Sequence, residues 1–176
     1  MNALKNSRLL IGCLLMNATM SLFSQHRNSY VSLNNTKEVN THNENYISAL
    51  DAGTVFGIGE YVYAGGGITF AKIWGPGYSS LGAGIGPDLQ IYLIQRKKFR
   101  FTLEGKGRVM GLFPEYPADA LNYAFWGGPM AEFSLSERHR LKFGICYNHL
   151  SNARPVEQVM NKSLDGIGFN IGWAFY

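Results

Sequence analysis

From residue 25 onward the chain alternates between apolar side chains and side chains that are polar or tiny, over long uninterrupted runs. A period of two puts successive side chains on opposite faces of a β-strand, and helical periodicity is hard to find. In Ser80–Ile94, the residues Leu81, Ala83, Ile85, Leu89, Ile91 and Leu93 share one face. Ser80, Gly82, Gly84, Gly86, Asp88, Gln90 and Tyr92 share the other. In Phe99–Phe113, Phe99, Phe101, Leu103 and Val109 alternate with Arg100, Thr102, Glu104, Lys106 and Arg108. The C-terminal run sets Ile167, Phe169, Ile171, Trp173 and Phe175 against Gly166, Gly168, Asn170, Gly172 and Ala174. The second face is not the Lys/Glu-rich mixture of a water-facing sheet. The chain holds 21 glycines, and only 16% of its residues are charged, against about 25% in an average domain.

About eight such segments are centred on 28–34, 45–58, 61–74, 80–95, 98–112, 120–134, 139–150 and 164–176. Tight turns are expected near Gly57–Tyr61, Arg96–Lys98 and Ser136–His139. Longer connections are expected at Asn35–Glu44, Gly75–Ser79, Phe113–Asp119 and Asn152–Ser163. Short turns alternating with longer loops, on strands with one apolar face, predict an all-β fold: an eight-stranded antiparallel transmembrane β-barrel whose interior side chains fill. The soluble rival is a lipocalin-like barrel with its apolar face inward and the row Arg100, Glu104, Lys106 and Arg108 outside. Its exterior would be rich in glycine and nearly uncharged in several strands. Aromatic residues Tyr61, Tyr63, Trp74, Phe113 and Tyr123 also gather near strand ends, as interfacial girdles do, and the last strand ends on Phe175-Tyr176. The membrane barrel is the better account, and it makes the charged row a buried network inside the lumen.

Residues 1–24 read as a secretory signal. Lys5 and Arg8 form the basic region, "LLIGCLLM" the apolar region, and "SLFSQ" a cleavage site after Ser24. The stretch ending at Cys13 is too short in apolar residues to be a lipoprotein box. Residues 25–176 then form a single outer-membrane barrel domain, in which Cys146 is the sole cysteine, so neither an intrachain disulfide nor a cysteine-based metal site is expected. The basic residues form no stripe interleaved with aromatics, and no nucleic acid partner is expected.

One strand breaks its own pattern. Leu141, Phe143, Ile145 and Tyr147 form the apolar face of the seventh segment, and the series continues as His149 and Ser151 within "NHLSNARP". In the last segment Asp165 shares parity with Ile167, Phe169 and Ile171. The two segments are consecutive and pair, so a His, a Ser and an Asp converge on the lipid-facing wall near the loop end. There a charge costs about 0–1 kcal/mol, rather than about 2–4 kcal/mol at mid-bilayer. A serine hydroxyl becomes nucleophilic when an imidazole takes its proton, and a carboxylate holds that imidazole in the useful tautomer. His149 is the candidate base, Ser151 the nucleophile, Asp165 the orienting acid, and Asn152 a donor toward the oxyanion. The bland alternative is ordinary polarity at a strand end.

"HLSNA" (149–153), "NKSLD" (161–165) and a closing strand of about eleven residues together resemble the lipid A deacylase family, the PagL-type barrels. At motif level the likeness covers about the last thirty residues, while the eight-strand plan covers the chain after the leader. It implies catalytic roles for His149 and Ser151, an acidic member at Asp165, and an oxyanion region at Asn152 beside Ala153. The sequence departs from the family in carrying Asp where Glu is usual, Ser163 where Gly is usual, Arg154 where a small residue is common, and a slightly longer loop. Glu157, in that loop, therefore stays open as the acid. The resemblance implies a serine esterase that removes a 3-O-linked acyl chain from lipid A of lipopolysaccharide, with its site toward the outer leaflet of a bacterial outer membrane. Such a mechanism calls for no metal or organic cofactor.

The implied partners are lipopolysaccharide and outer-membrane lipids, with Arg154 and Lys162 placed to meet lipid A phosphates. Whether the chain acts as a homodimer is left open. The rival class is a non-catalytic small barrel serving adhesion or membrane stability. The run Gly65–Gly67 precedes no helix, so it relieves crowding in the lumen rather than cradling phosphate. His139 and Arg140 are expected in a turn at the periplasmic end.

Overall fold

The computed structural model describes residues 27–39, 44–113, 121–152 and 163–176. The expected leader and its cleavage point after Ser24 lie outside the described residues, as do Ala153, Arg154, Glu157 and Lys162. Eight strands follow in chain order: β1 (Arg27–Glu38), β2 (Tyr46–Gly57), β3 (Val62–Gly75), β4 (Tyr78–Gln95), β5 (Phe99–Phe113), β6 (Leu121–Ser134), β7 (His139–Asn152) and β8 (Leu164–Phe175). Each pairs antiparallel with its neighbours, and β8 pairs back onto β1, which closes the barrel and leaves no free sheet edge.

Which face is inside decides between the two barrels the alternation allows. Ile85 and Phe169 are 67% and 76% exposed, whereas Glu132 and Lys142 are 0% and 1% exposed. Through the middle of the barrel the apolar positions of the strands point out, and the charged row of β5 and its acidic partners point in. A continuous apolar exterior of this kind is a liability in water and is favourable in lipid, where a closed barrel also satisfies its backbone internally. The chain therefore has the transmembrane β-barrel fold, and the lipocalin arrangement is excluded.

The row from β5 is at the centre of the lumen. Arg108 Nη1 lies 2.7 Å from Asp88 Oδ1, and its Nη2 lies 3.6 Å from Asp51 Oδ1. Lys106 sits 3.6 Å from Asp51 and donates to Ser32 Oγ at 2.9 Å. Lys142 pairs with Glu104 and lies 3.7 Å from Glu132. Tyr30 donates to Asp88 at 2.6 Å, and the Lys106 ammonium sits 4.4 Å from the centre of its ring. Arg100 is half-buried against the rings of Tyr92 and Tyr176. Glycines make room for this network. A Cβ on Gly67 would come within 2.8 Å of Asp88 Oδ2 and 3.0 Å of Arg108 Nη2, and one on Gly53 within 2.6 Å of the same Asp88 oxygen.

The lumen is layered. Above the ionic centre, toward the loops, Ile47, Ile73, Met110, Leu112, Trp126, Leu150 and Leu164 pack into an apolar plug. Below it, toward the turns, Tyr63 packs edge-on against Tyr92 at 5.0 Å between ring centres. Alternation predicts an inner face that is polar or tiny; the plug departs from that, because a filled end of a lumen is as dry as a protein core.

Five local expectations are corrected. β1 runs on to Glu38, so Asn35–Glu38 belongs to the strand rather than to a loop. The Gly75–Ser79 connection is a two-residue turn between β3 and β4, with Gly77 at φ +85°; Pro76 followed by a glycine at positive φ is the chemistry of a type II turn. Tyr63 points inward and is no girdle residue, while Trp74 stacks on Tyr46 at 5.6 Å between ring centres. His139 and Arg140 open β7 rather than occupying the turn: His139 accepts from Trp173 Nε1 at 3.1 Å on the outside, and Arg140 is buried. A register shift between Tyr92 and Ile94 turns Ile94 outward beside Leu93, so the β4 alternation holds through Leu93 and ends there.

Breaking the ionic centre strands a charge in a dry interior. Glu104→Gln, which leaves Lys142 under-compensated, is expected to destabilise the barrel by about 3–5 kcal/mol, read as a lowered urea midpoint of the detergent-folded protein against wild type.

Candidate active site

β7 and β8 carry the residues that break the outward apolar pattern. Their register puts His149 directly opposite Asp165, with Tyr147 opposite Ile167 two rungs toward the turns. On the other side of β7, His149 faces Phe125 and Ser151 faces Tyr123. Since Leu150 and Leu164 point inward into the apolar plug, His149, Ser151 and Asp165 are turned to the exterior, as parity requires. The site sits one to three residues from the loop end of both strands.

The geometry centres on the Asp165 carboxylate. His149 Nδ1 lies 2.8 Å from Asp165 Oδ1. Tyr147 donates its phenolic hydroxyl to that same oxygen at 2.5 Å, and Ser163 donates to Oδ2 at 3.4 Å. The His149 side chain is 39% exposed and that of Asp165 17%, so the imidazole is reachable from outside while the carboxylate is covered. With Asp165 accepting from Nδ1–H, the imidazole lone pair is carried on Nε2, the tautomer a general base needs.

Among the sequence candidates, the structure brings His149 and Asp165 into contact and places Ser151 on the same face, half-buried, two residues further along β7. No hydrogen bond joins Ser151 to His149. Neighbours at i and i+2 on a strand are spaced by about 7 Å at their backbones, so the pair meets only when both side chains turn toward each other, a looseness common in unliganded sites. Asn152 ends β7 with its backbone opposite Asn122. The fallback acid Glu157 and the oxyanion neighbour Ala153 lie outside the described residues.

Sequence reasoning placed Tyr147 with the apolar face and missed its hydroxyl. The signal was available: Tyr147 shares parity with His149 and lies diagonal to Asp165 across the pair, a separation a long side chain spans.

No family model and no curated protein matches this sequence. Solved structures do. The outer-membrane enzyme PagL superposes with a TM-score of 0.55 at 12% identity, over 85% of this chain and 99% of that one. Neisserial surface protein A superposes with a TM-score of 0.56 at 11% identity, over 85% of this chain and 94% of that one. The outer-membrane protein OprG from Pseudomonas aeruginosa gives 0.49 at 10% identity, over 85% and 94%. At such identities the likeness is one of fold. A fold shared by an enzyme and by a surface protein does not choose between them; the side chains on the wall must.

If Asp165 orients His149, Asp165→Asn is expected to lower any ester turnover by about 10²–10⁴-fold while Glu157→Gln stays near wild type. Parallel assays of the two purified variants decide between the acids.

Proposed function

We propose that this chain is an outer-membrane serine esterase acting on an acyl ester of lipid A, with Ser151, His149 and Asp165 as its catalytic residues. The observation that carries the proposal is the His149–Asp165 hydrogen bond on the lipid-facing wall. A titratable pair of this kind is out of place in an apolar surface unless it is used there, and Ser151 shares its face. The motif "HLSNA" (149–153) at this location adds to it.

The chemistry follows from residue roles. Ser151 Oγ attacks the ester carbonyl as His149 Nε2 takes its proton, and the imidazolium is held by Asp165. Donors around Asn152 and Ala153 meet the developing oxyanion. Collapse expels the sugar hydroxyl, which receives the proton from His149 and leaves an acyl-serine. A water then attacks that acyl-serine with the same imidazole as base, releasing a free fatty acid and restoring the hydroxyl.

Placement supports the substrate class. An even number of strands puts both ends of the barrel chain on the turn side. A leader that delivers the chain to the periplasm leaves that side periplasmic and turns the loop end, with the site, to the outer leaflet. There the acyl esters of lipopolysaccharide diffuse laterally along the wall, so no substrate needs to enter the filled lumen. Arg154 and Lys162, in the sequence between β7 and β8, carry charge of the right sign for lipid A phosphates. One observation favours the alternative of a non-catalytic barrel: the missing Ser151–His149 hydrogen bond.

Expression in a lipopolysaccharide-producing host is expected to remove one ester-linked acyl chain, seen by mass spectrometry of lipid A. Ser151→Ala is expected to lower that activity by at least about 10³-fold while keeping heat-modifiable barrel folding. Unchanged lipid A with folded wild-type protein favours the non-catalytic barrel.

A further inference from the structure

We propose that Tyr147 is a positioning residue of this site, its phenolic hydroxyl fixing the Asp165 carboxylate so that one oxygen is presented to His149. The proposal rests on the esterase reading and deepens it.

Three observations carry it. First, the tyrosine hydroxyl and His149 Nδ1 converge on the same atom, Asp165 Oδ1, at 2.5 and 2.8 Å. An aspartate reaches across from β8 on a single methylene and can rotate its two oxygens past each other; a second donor on the imidazole-facing oxygen holds the carboxylate in one rotamer. Ser163 meets the other oxygen only at 3.4 Å, so the tyrosine is the stronger restraint. Second, the tyrosine is suited to the wall. Its ring covers apolar surface at lipid level and only its tip is polar, which lets the donor approach the carboxylate from the membrane side, where water does not compete. Third, the bond is not needed to join the strands. β7 and β8 are in register from His139–Phe175 to Leu150–Leu164 through their backbones, so a side-chain link near one end of that ladder adds little to pairing. What it fixes is the acid.

Removing the hydroxyl acts on turnover through the acid. The carboxylate loses its fixed rotamer, so the imidazole is correctly oriented for a smaller fraction of the time and turnover falls. A tyrosine that only propped up the wall would not lower kcat selectively, with KM unchanged and the effect dependent on Asp165.

The experiment is a double-mutant cycle on the detergent-folded full chain, with hydrolysis of a p-nitrophenyl ester of a medium-chain fatty acid in micelles followed at one fixed pH. Tyr147→Phe is expected to lower kcat about tenfold, the loss of one hydrogen bond to a charged group, with KM changed by less than about twofold. In an Asp165→Asn background the same substitution is expected to change nothing further, because the tyrosine acts through the aspartate. A wild-type kcat in Tyr147→Phe, equal losses in both backgrounds, or loss of heat-modifiable folding in Tyr147→Phe would each overturn the proposal. Ester hydrolysis by wild type with an unaffected Tyr147→Phe rejects the tyrosine's role alone. A folded wild type inert toward both this ester and lipid A rejects the esterase reading and this inference with it.

Discussion

Everything in this molecule follows from one constraint: in a closed eight-stranded barrel, each residue has only two places to be. Alternate side chains enter a lumen narrow enough to be filled, and the others face the surroundings. The interior solves its half of the problem with charge, Arg108, Lys106 and Lys142 against Asp51, Asp88, Glu104 and Glu132. The wall solves the other half with Leu, Ile and Phe. The lumen takes an apolar plug beside its charges, but the wall is less tolerant. A charge on the wall costs most at mid-bilayer and little near the interface, so an ionisable site on the outside has to lie near a rim, where His149 and Asp165 lie.

The same constraint shapes how such a site is held. In a soluble enzyme a catalytic acid is buried in the core and surrounded by backbone donors. On a barrel wall the backbone donors are committed to the ladder, so side chains on the same face must do the holding. Asp165 draws on the strand it faces, from His149 and Tyr147, and on Ser163 beside it. Behind the site, Leu150, Leu164 and Trp126 fill the loop end of the lumen and give the strands that carry it a packed backing. The ionic centre, the apolar plug and the outward cluster are three consequences of one closed sheet.

Much of this was legible in the sequence because a period of two is a strong signal and glycine-rich inner faces are hard to mistake. Strand number, the inward row Arg100–Arg108 and the outward parity of His149, Ser151 and Asp165 all came from alternation. The misses have physical causes. Gly75–Ser79 looked like a loop because glycine and proline mark both loops and tight turns, and only the positive φ of Gly77 separates them. Tyr63 was placed with the girdle because alternation breaks down in the glycine-rich start of β3, where its parity had little to anchor it. The apolar plug was invisible because apolar residues on both faces erase the alternation that would assign them. Tyr147 was read by its ring and not by its hydroxyl, since only the register of β7 on β8 shows what that hydroxyl reaches.

The central claim is that a wall-facing serine is made nucleophilic by the histidine beside it. It is tested most directly by treating the folded protein with a fluorophosphonate and locating the adduct by mass spectrometry of its peptides. A single adduct on Ser151, lost in His149→Ala, is the result predicted. Protein that stays unmodified, or a modification that persists in Ser151→Ala, would contradict it.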